Sequence, residues 1–540
     1  MSSRYDAMKN TLFYNGVFHS GVSEQDSFYA MQVRSGRISR VYKTKADMPK
    51  RLPKSAVNLG GKHVYPCLID GHTHMLLTIS VMAMGFNACE ITHSGVEPHT
   101  VAGVAERVRE YASRQKKNAI IAINNYILTA VDERRMPTRE ELDDWCGGRA
   151  AVIYNIDGHS TSLSSKMLRM IGIDPKNHSG VLQGEDNERA QGRIIDVVGS
   201  AIGVSTLAKG IAHFHNYCAD YGINIVGALE GNGDSKNDAT TKLIIRLARH
   251  FDMKVRLYLQ YTDFDRVKPF EHMMKHPRVG GCGDWEMDGA SGSHSAAFYT
   301  PYLDTGKTAP CYYEQSFVDE TVKRFDEAGY QIASHAIGEA GIDRLLCAFE
   351  KLPEHGQKPY HRIEHCEFHG DDALEKLKSG KYAVMMQPGY AWLDKRYLHS
   401  YEQVLTENIR RRMKLKTLYD AGVCVCGSSD SPVQDMDPYL QMLGMTQFYN
   451  EQESLTPYEA FSTYTKNAAA ALLEADDFGT LEVGKVADFF TADEDFFALS
   501  PEAVVDFRPT QTYYGGKAYV RKKGTVPELV SMLLTKPKLI

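Results

Sequence analysis

The sequence predicts an α/β fold built on a parallel sheet or barrel, with a smaller β unit formed by the two chain ends. Short apolar runs alternate with charged stretches of helical period, such as FVDETVKRFDEAG and DDALEKLKSG, and this alternation is typical of parallel βα units. The apolar runs are VYPCLID, INIVGALE, VRLYLQY, YQIASHA, HRIEHCEF, YAVMMQP and VCVCGSSD. At 540 residues the chain exceeds what one hydrophobic core usually supports, so we expect a large domain with a satellite or insertions.

The chain ends have a different pattern from the middle. Short strand candidates separated by turn residues occur first as TLFYNGVF, FYAMQV and RISRVY, and again near the other end as ADFFTADEDFF, TQTYYGG and KAYVRKKG. We therefore predict that residues 1–65 and 478–526 form one composite β-sandwich domain, that residues 66–477 form the main domain, and that residues 527–540 are a C-terminal tail. Residues from about 95 to 210 interrupt the βα rhythm and are interpreted as an insertion that caps the main domain.

Composition and charge exclude several classes of protein. Hydrophobic residues make up 43% and charged residues 24% of the chain, and the mean hydropathy of −0.36 is ordinary for a folded soluble protein. A net charge of −6 with scattered Lys and Arg provides no positive field for nucleic acid. No window approaches the roughly 18 apolar residues of a membrane span. The 10 cysteines include no C-x-x-C pair, and we predict a reducing compartment, the cytoplasm.

Two histidines close the first apolar strand of the main domain. His72 and His74 stand at positions i and i+2 in IDGHTH, so both side chains point to the same side of the strand and can hold one ion. Neutral imidazoles suit zinc, iron, nickel or copper better than magnesium or calcium. Taken alone, an H-x-H pair is as readily a surface or structural pair as a ligand pair.

Three further candidate ligands end other apolar runs. His335 ends YQIASHA, His365 follows RIE, and Asp430 ends VCVCGSSD. In a (β/α)8 barrel, the carboxyl ends of the strands form the face on which active sites are built. Four histidines and an aspartate in the same relative position are hard to attribute to packing. The pattern therefore predicts a metal site.

The chain resembles the amidohydrolase superfamily, most closely its amidohydrolase-3 branch, which is N-substituted formamide deformylase-like. The resemblance covers nearly the whole chain and includes FYNG, IDGHTH, DGHSTSLSSKML, DGASGSHSAAFYTPY, SHAIGE, RIEH, MMQP, GSSDSPV, TKNAAAAL and GTLEVGKVADF. It implies a (β/α)8 TIM barrel and a divalent transition metal, expected to be zinc. It also implies a catalytic and ligand role for Asp430 and ligand roles for His72, His74, His335 and His365. A metal-activated water would attack the substrate, and Asp430 would transfer its proton.

One position departs from the family pattern. Where this branch usually carries a lysine that is carboxylated in related enzymes and bridges two metals, four residues before Asp288, the sequence has Asp284. Glu286 lies on the same side of the strand by alternation and is our candidate replacement bridge, and Glu230 is ranked as a supporting carboxylate. The alternative is a site for one ion. In that case His365 could instead donate a hydrogen bond to the developing negative charge.

Three more residues are predicted to bind substrate, each with a structural alternative. His159 lies in a segment that reaches the pocket in the family, although an Asp-Gly-His sequence is commonly just a turn. Glu339 could bind a substrate amine or protonate a ring nitrogen, or it could favour the start of the following helix. Gln387 could face the pocket or cap its strand.

Three functions remain open from the sequence. The first is hydrolysis of a C–N bond in an amide, formamide, cyclic amide or N-acyl group of a small molecule. The second is deamination of an aminated heterocycle by a mononuclear enzyme with Glu339 as proton donor. The third is a non-catalytic binding or regulatory barrel. No nucleic-acid or membrane partner is expected, and a homo-oligomer is expected only by analogy with other enzymes of this fold.

Overall fold

Eight parallel strands form a nearly closed barrel. The computed structural model describes residues 10–84, 86–92, 95–231, 239–356 and 359–540. Each barrel strand pairs with the next along the chain, and a bridge between Thr73 and Ser431 joins the last strand to the first. Numbered in chain order, the strands are β1 (Leu68–Thr73), β2 (Ile223–Glu230), β3 (Lys254–Leu259), β4 (Arg278–Glu286), β5 (Gln331–Ala336), β6 (His361–His365), β7 (Tyr382–Met386) and β8 (Cys424–Gly427). This is the α/β barrel that the sequence predicts.

Helices connect the barrel strands and decorate the inserted segments. The α-helices are Met75–Met84, Val101–Ser113, Arg139–Trp145, Ser165–Met170, Glu185–Ser200, Val204–Asp220, Ala239–Ala248, Phe264–Val267, Gln315–Glu327, Glu339–Phe349, Asp371–Leu377, Pro388–Leu393, Ser400–Val404, Glu407–Arg410, Leu415–Asp420, Pro438–Thr446, Pro457–Thr463, Lys466–Ala471 and Val526–Leu533. Shorter helical turns, one of them of the π type at Asp394–Leu398, complete the connections.

The barrel strands are buried on both faces, because helices cover the outside and side chains fill the interior. Every residue of β1, β2, β6 and β7 is buried, which explains the continuous apolar runs of β2 and β7. Strand β6, with the sequence HRIEH, is the exception in composition. A buried charge is stable only when it is paired, so β6 must find partners inside the barrel.

A buried carboxylate on the first barrel strand bonds to the segment that follows the last strand. Asp70 on β1 accepts hydrogen bonds from the amide and the hydroxyl of Ser429, at 3.1 and 2.6 Å. The amide of Asp430 donates to the carbonyl of His72 at 2.9 Å, and the amide of His74 donates to the carbonyl of Ser431 at 2.8 Å. These bonds set the register between the IDGHTH and GSSDS segments.

The two chain ends pair in one sheet of eight strands. Strand His63–Pro66 lies between Asn10–His19 and Phe489–Ala492, so the two ends of the chain meet there. The remaining strands of this sheet are Ser27–Arg34, Arg37–Tyr42, Val57–Asn58, Gln511–Tyr514 and Lys517–Ala518. The expected pairing of the ends is therefore present, whereas the packing of two sheets into a sandwich and the domain boundaries stay predictions.

The segment expected as an insertion carries its own sheet and apolar core. Its four strands lie in the order Val181–Gln183, Ser160–Leu163, Ala151–Asn155 and Ile121–Tyr126. A two-stranded hairpin, Glu90–Thr92 with Gly95–Glu97, precedes them. Residues Asn155, Ile156, Asp157 and His159 of this segment reach the cavity described below.

Among the described residues, each helix taken singly is too short or too polar to cross a membrane. The helices Glu185–Ser200 and Val204–Asp220 have the required length and composition only as a pair, which is bent by 111°.

Candidate metal centre

The five predicted strand-end ligands converge at the carboxyl end of the barrel. Nε2 of His72 and Nε2 of His74 lie 3.0 and 3.2 Å from Oδ1 of Asp430. The ring centroids of His72 and His335 lie 5.0 and 4.4 Å from that of His365. Side chains from β1, β5 and β6 and from the segments after β1 and β8 therefore face one small space.

Two of these residues have an unusual backbone conformation. His365 has a φ of 67° and Asp430 a φ of 57°, both in the left-handed region that non-glycine residues seldom adopt. Such strain persists only where the surrounding structure imposes it, and it is concentrated at functional sites. Here it occurs where β6 and β8 give way to their loops.

A second layer of polar groups orients the imidazoles. Nδ1 of His72 lies 2.6 Å from Oε2 of Glu364, and Oε1 of Glu364 accepts from Nε of Arg362 at 2.8 Å. Because the carboxylate is an acceptor, Nδ1 donates its proton to Glu364, and Nε2 is the ring atom that faces the centre. Oε1 of Gln387 fixes His365 in the same way at 2.6 Å. Glu364 was not predicted from the sequence. The signal that could have found it is the presence of charged residues inside the otherwise buried strand HRIEH.

The structure adds a residue that the sequence analysis did not propose. Cys282 on β4 is buried, and its Sγ lies 3.8 Å from Nε2 of His72 and 3.9 Å from Nδ1 of His335. Strand β4 is irregular, with φ values of 106° at Gly280 and 103° at Gly281, and its register with β5 shifts between Gly281 and Glu286. Alternation places Cys282, Asp284 and Glu286 on one side of the strand, and on this irregular strand it is Cys282 that points at the histidines.

The carboxylates considered as replacements for the missing lysine have other contacts. Oε1 of Glu286 accepts from the amide of Gly283 at 2.8 Å, and burial together with the charge of Glu188 raises the pKa of Glu286 well above its usual range. Oδ2 of Asp284 accepts from the amide of Thr262 at 3.3 Å. The bridging role of Glu286 stays a prediction.

Glu230 lies close to the start of the helix that follows His74. Its Oε1 accepts from the amide of Leu76 at 2.9 Å, and burial raises the pKa of Glu230 to about 8. The carboxylate therefore holds the start of this helix, and its supporting role at the metal site stays a prediction.

Of the predicted substrate-binding residues, His159 and Gln387 line the cavity. The ring of His159 is 5.3 Å from that of His335, and its Nδ1 lies 2.8 Å from Oε1 of Glu188. Burial lowers the pKa of His159, but the charge of Glu188 outweighs burial and raises it to about 10. Glu339 instead pairs with Arg412 at 2.8 Å and is not among the residues that line the cavity, so its substrate role stays a prediction without support here.

The donor set fits a divalent transition metal. Nε2 of His365 is buried and has no hydrogen-bond partner, and Oδ1 of Asp430 makes no hydrogen bond of good geometry although Nε2 of His72 and of His74 lie 3.0 and 3.2 Å away. Native proteins seldom leave buried polar atoms in this state without an ion or water. Three groups of potential ligand atoms each lie within 4.8 Å of one another: His72, His74 and Cys282; Cys282, His335 and His365; and His72, His365 and Asp430. Imidazole, thiolate and carboxylate together suit zinc-like ions.

Local electrostatics favour a cation at this point. Burial lowers the pKa of His365 to about 4 and that of His335 well below its usual value, so both rings are neutral and can donate a lone pair. Burial also acts to lower the pKa of His72, but Asp430 and Glu364 raise it to about 9. The two carboxylates, Asp430 and Glu364, therefore stabilise a positive charge at this point of the site.

A cavity opens directly onto the candidate ligands. It contains about 930 Å³ of space unoccupied by protein atoms, part of it open to solvent, and His365 and Asp430 form part of its wall. None of its lining residues, all of which belong to the described part of the chain, is Lys or Arg. Its apolar lining residues are Ile156, Ala290, Ile337, Met386, Pro388, Tyr390, Ala391, Leu398, Tyr401, Met413 and Phe448.

Comparisons with known proteins agree with this geometry. The chain is 21% identical over 543 residues to a Bacillus subtilis (strain 168) protein named as the amidohydrolase YtcJ, covering 95% of this chain and 99% of that protein. It is 21% identical to the N-substituted formamide deformylase of Arthrobacter pascens, covering 96% and 99%. A solved metal-dependent hydrolase from Pyrococcus furiosus has the same fold, with a TM-score of 0.69, 22% identity and coverage of 91% of this chain and all of that one.

The family assignment rests on the sequence as a whole rather than on the site alone. The amidohydrolase family model matches residues 55–520, a range that contains the complete barrel and every candidate ligand. The resemblance noted from the motifs is thereby confirmed, and the chain belongs to the amidohydrolase family.

Proposed function

We propose that the protein is a metal-dependent hydrolase that cleaves a C–N bond of a small molecule, in an amide, formamide, cyclic amide or N-acyl group. We further propose that zinc is the ion and that the protein acts in the cytoplasm on a small-molecule substrate. The observation that carries the proposal is the cluster of His72, His74, His335, His365 and Asp430, two of which, His365 and Asp430, also line a cavity that is partly open to solvent.

The residues of the centre divide the chemical work between them. His72, His74, His335, His365 and Asp430 would hold the divalent ion, which would lower the pKa of a bound water and polarise the scissile carbonyl. Asp430 lines the cavity and accepts the proton that leaves the attacking water, then delivers it to the departing nitrogen. Glu364 and Gln387 accept hydrogen bonds from Nδ1 of His72 and His365, so Nε2 of each ring is the atom that would face the ion.

The cavity favours a substrate with an apolar body and no negative charge. Glu367, which accepts a hydrogen bond from the hydroxyl of Tyr401, and Asp157 place carboxyl groups in its wall. The protonated ring of His159 is already paired with Glu188. Away from the metal, a substrate carboxylate would therefore meet acidic groups and no Lys or Arg side chain, whereas a neutral N-substituted formamide or acylated apolar amine carries no charge for these groups to repel. The name of the Arthrobacter relative supports the same class.

Product analysis after metal reconstitution tests the proposal. The metal-depleted and zinc-loaded protein would be offered N-alkyl and N-aryl formamides and acetamides, the same bodies with an added carboxylate, and aminated heterocycles. We expect release of amine from the neutral amides by the zinc form only. Asp430→Asn should lower kcat by about 10²–10⁴-fold. Asp304→Asn, at an exposed carboxylate paired with His294, is the matched control.

Each other outcome of this screen contradicts the proposal in a distinct way. Release of ammonia from the heterocycles alone would replace hydrolysis of amides by deamination. Full activity in the metal-depleted protein, or in Asp430→Asn, would remove the metal and the carboxylate from the mechanism. Tight metal binding without turnover of any class would favour the non-catalytic alternative. Hydrolysis of only the carboxylate-bearing amides would overturn the substrate class.

A further inference from the structure

We propose that the thiolate of Cys282 is a shared ligand that bridges two metal ions, in the place where related enzymes use a carboxylated lysine. This inference rests on the metal centre of the proposed function and specifies its composition. The proton of the thiol leaves to solvent when the ions bind, because thiolate rather than thiol is the ligand.

Cys282 is common to two of the candidate ligand groups among the described residues. His72 and His365 each recur in the third group, with Asp430, but an imidazole nitrogen has a single lone pair and cannot bind two ions, whereas a thiolate sulfur can. Cys282 joins His72 and His74 in the first group and His335 and His365 in the second, each with potential donor atoms within 4.8 Å of one another. The two groups otherwise share no residue. A sulfur atom that belongs to both is placed as a bridge between two ions.

The distances fit metal coordination better than a hydrogen bond. With metal–sulfur and metal–nitrogen bonds of ordinary zinc length, two ligands at a tetrahedral ion lie roughly 3.6 Å apart. The observed separations from Sγ are 3.8 Å to Nε2 of His72 and 3.9 Å to Nδ1 of His335. Small rotations of the side chains would bring Sγ and Nε2 of His72 to bonding distance of one ion. They would likewise bring Sγ and Nδ1 of His335 to bonding distance of a second ion.

The backbone of β4 explains why a short side chain reaches the centre. Strand β4 contains no lysine between Arg278 and Glu286, so a carboxylated lysine cannot form there. Gly280 and Gly281 have left-handed conformations, and the register with β5 shifts between Gly281 and Glu286, the stretch that contains Cys282. A β-carbon at Gly281 would lie 1.5 Å from the side chain of Leu229, so only glycine permits this path.

The proposal has a consequence for metal choice. A thiolate is a soft ligand and favours zinc, cobalt or cadmium over manganese or magnesium. We therefore expect excess Mn²⁺ to leave zinc bound to the native protein. Without the thiolate the remaining ligands are imidazole and carboxylate, and Mn²⁺ should compete more effectively.

Cobalt spectroscopy of the full chain tests the bridge directly. Co²⁺ would be added to the metal-depleted protein, its content determined by elemental analysis, and the near-ultraviolet absorption recorded for a sulfur-to-cobalt charge-transfer band. The variants are Cys282→Ser and Cys282→Ala, with Cys426→Ser as a control at another buried barrel cysteine and Glu286→Gln for the competing bridge. Circular dichroism would show that each variant is folded.

We expect two Co²⁺ ions and a thiolate band in the native, Cys426→Ser and Glu286→Gln proteins. Both Cys282 variants should lose the band and should also lose at least one of the two ions. Two ions without the band, or a band that survives in Cys282→Ser, would overturn the bridge while leaving the metal centre intact. Loss of an ion in Glu286→Gln with no change in Cys282→Ser would assign the bridge to Glu286. Absence of bound Co²⁺ in the native protein would instead defeat the proposed function itself.

Discussion

Replacing Glu364 by glutamine should weaken the metal centre without touching a ligand. The Glu364 carboxylate is fully buried between Nδ1 of His72 at 2.6 Å and Nε of Arg362 at 2.8 Å. Loss of an outer partner of this kind typically lowers metal affinity by about 10–100-fold. The substitution also leaves the guanidinium of Arg362 buried without its counter-charge, which costs about 3–5 kcal/mol of folding stability. Glu364→Gln should therefore show both effects together.

Two measurements separate these effects. Zinc affinity would be determined by competition with a chromophoric chelator, and stability by the urea midpoint of the metal-free protein, so that metal release does not enter the second value. Glu407→Gln, which breaks an exposed pair with Arg411, should change stability by about 1 kcal/mol at most. A Glu364→Gln protein with native zinc affinity would refute the orienting role of the carboxylate, and one with native stability would refute the buried ion pair.

Three other substitutions probe the barrel and the cavity. Gly227→Ala on β2 should lower both stability and zinc content, because a β-carbon there would lie 2.1 Å from the carbonyl oxygen of Gly71, the residue before His72 on β1. Dye-monitored melting would measure the stability, and elemental analysis would measure the zinc content. Glu474→Gln should destabilise the fold by about 3–5 kcal/mol in urea unfolding, since it unpairs the buried Arg278 and its neighbours. Glu367→Gln should raise the activity on carboxylate-bearing amides relative to neutral ones, measured as the ratio of kcat/KM values.

The pH dependence of the Glu474 effect follows from the direction of its pKa shift. Burial raises the pKa of Glu474, but Arg256, Lys275 and Arg278 outweigh burial and lower it below its usual value. A lowered folded-state pKa means that the stabilisation is complete above the unfolded-state pKa of about 4.3 and is lost as the pH falls below it. The difference in stability between the native protein and Glu474→Gln should therefore be constant near neutrality and shrink in acid. A difference that grows in acid would contradict the ion-pair assignment.

Matched controls exist for the other two changes. Gly356→Ala adds a β-carbon where no atom lies within 4 Å, so it should leave melting and zinc content unchanged if the Gly227 effect is steric. Glu402→Gln, at an exposed carboxylate away from the cavity lining, should leave substrate preference unchanged. Equal effects in the control and in the test variant would remove the structural explanation in each case.

The barrel and the five strand-end ligands could be predicted because they depend on regular features. Apolar runs ending in histidine or aspartate mark the carboxyl ends of parallel strands, and those ends share one edge. Cys282 could not be found in the same way. Alternation places Cys282 on the same side as Asp284 and Glu286, and only the two carboxylates were weighed as replacements for the lysine. The shift in register between Gly281 and Glu286 determines which of the three side chains reaches the histidines, and no local spacing shows that shift.

Glu339 and Glu364 show a second limit. Both are buried carboxylates near predicted ligands, yet Glu339 turns to Arg412 and Glu364 turns to His72. Arg362, the charged partner of Glu364, is two residues away, but Arg412 is 73 residues from Glu339 and His72 is 292 residues from Glu364, so local spacing carries no information about these two contacts.

The contact between β1 and the segment after β8 brings together candidate ligands that are synthesised at very different times. His72 and His74 emerge early from the ribosome, whereas Asp430, which lies within 3.2 Å of both, follows some 350 residues later and is joined to them only when the barrel closes. In the proposed metal centre, the full set of ligands is therefore assembled only when the last strand has reached the first.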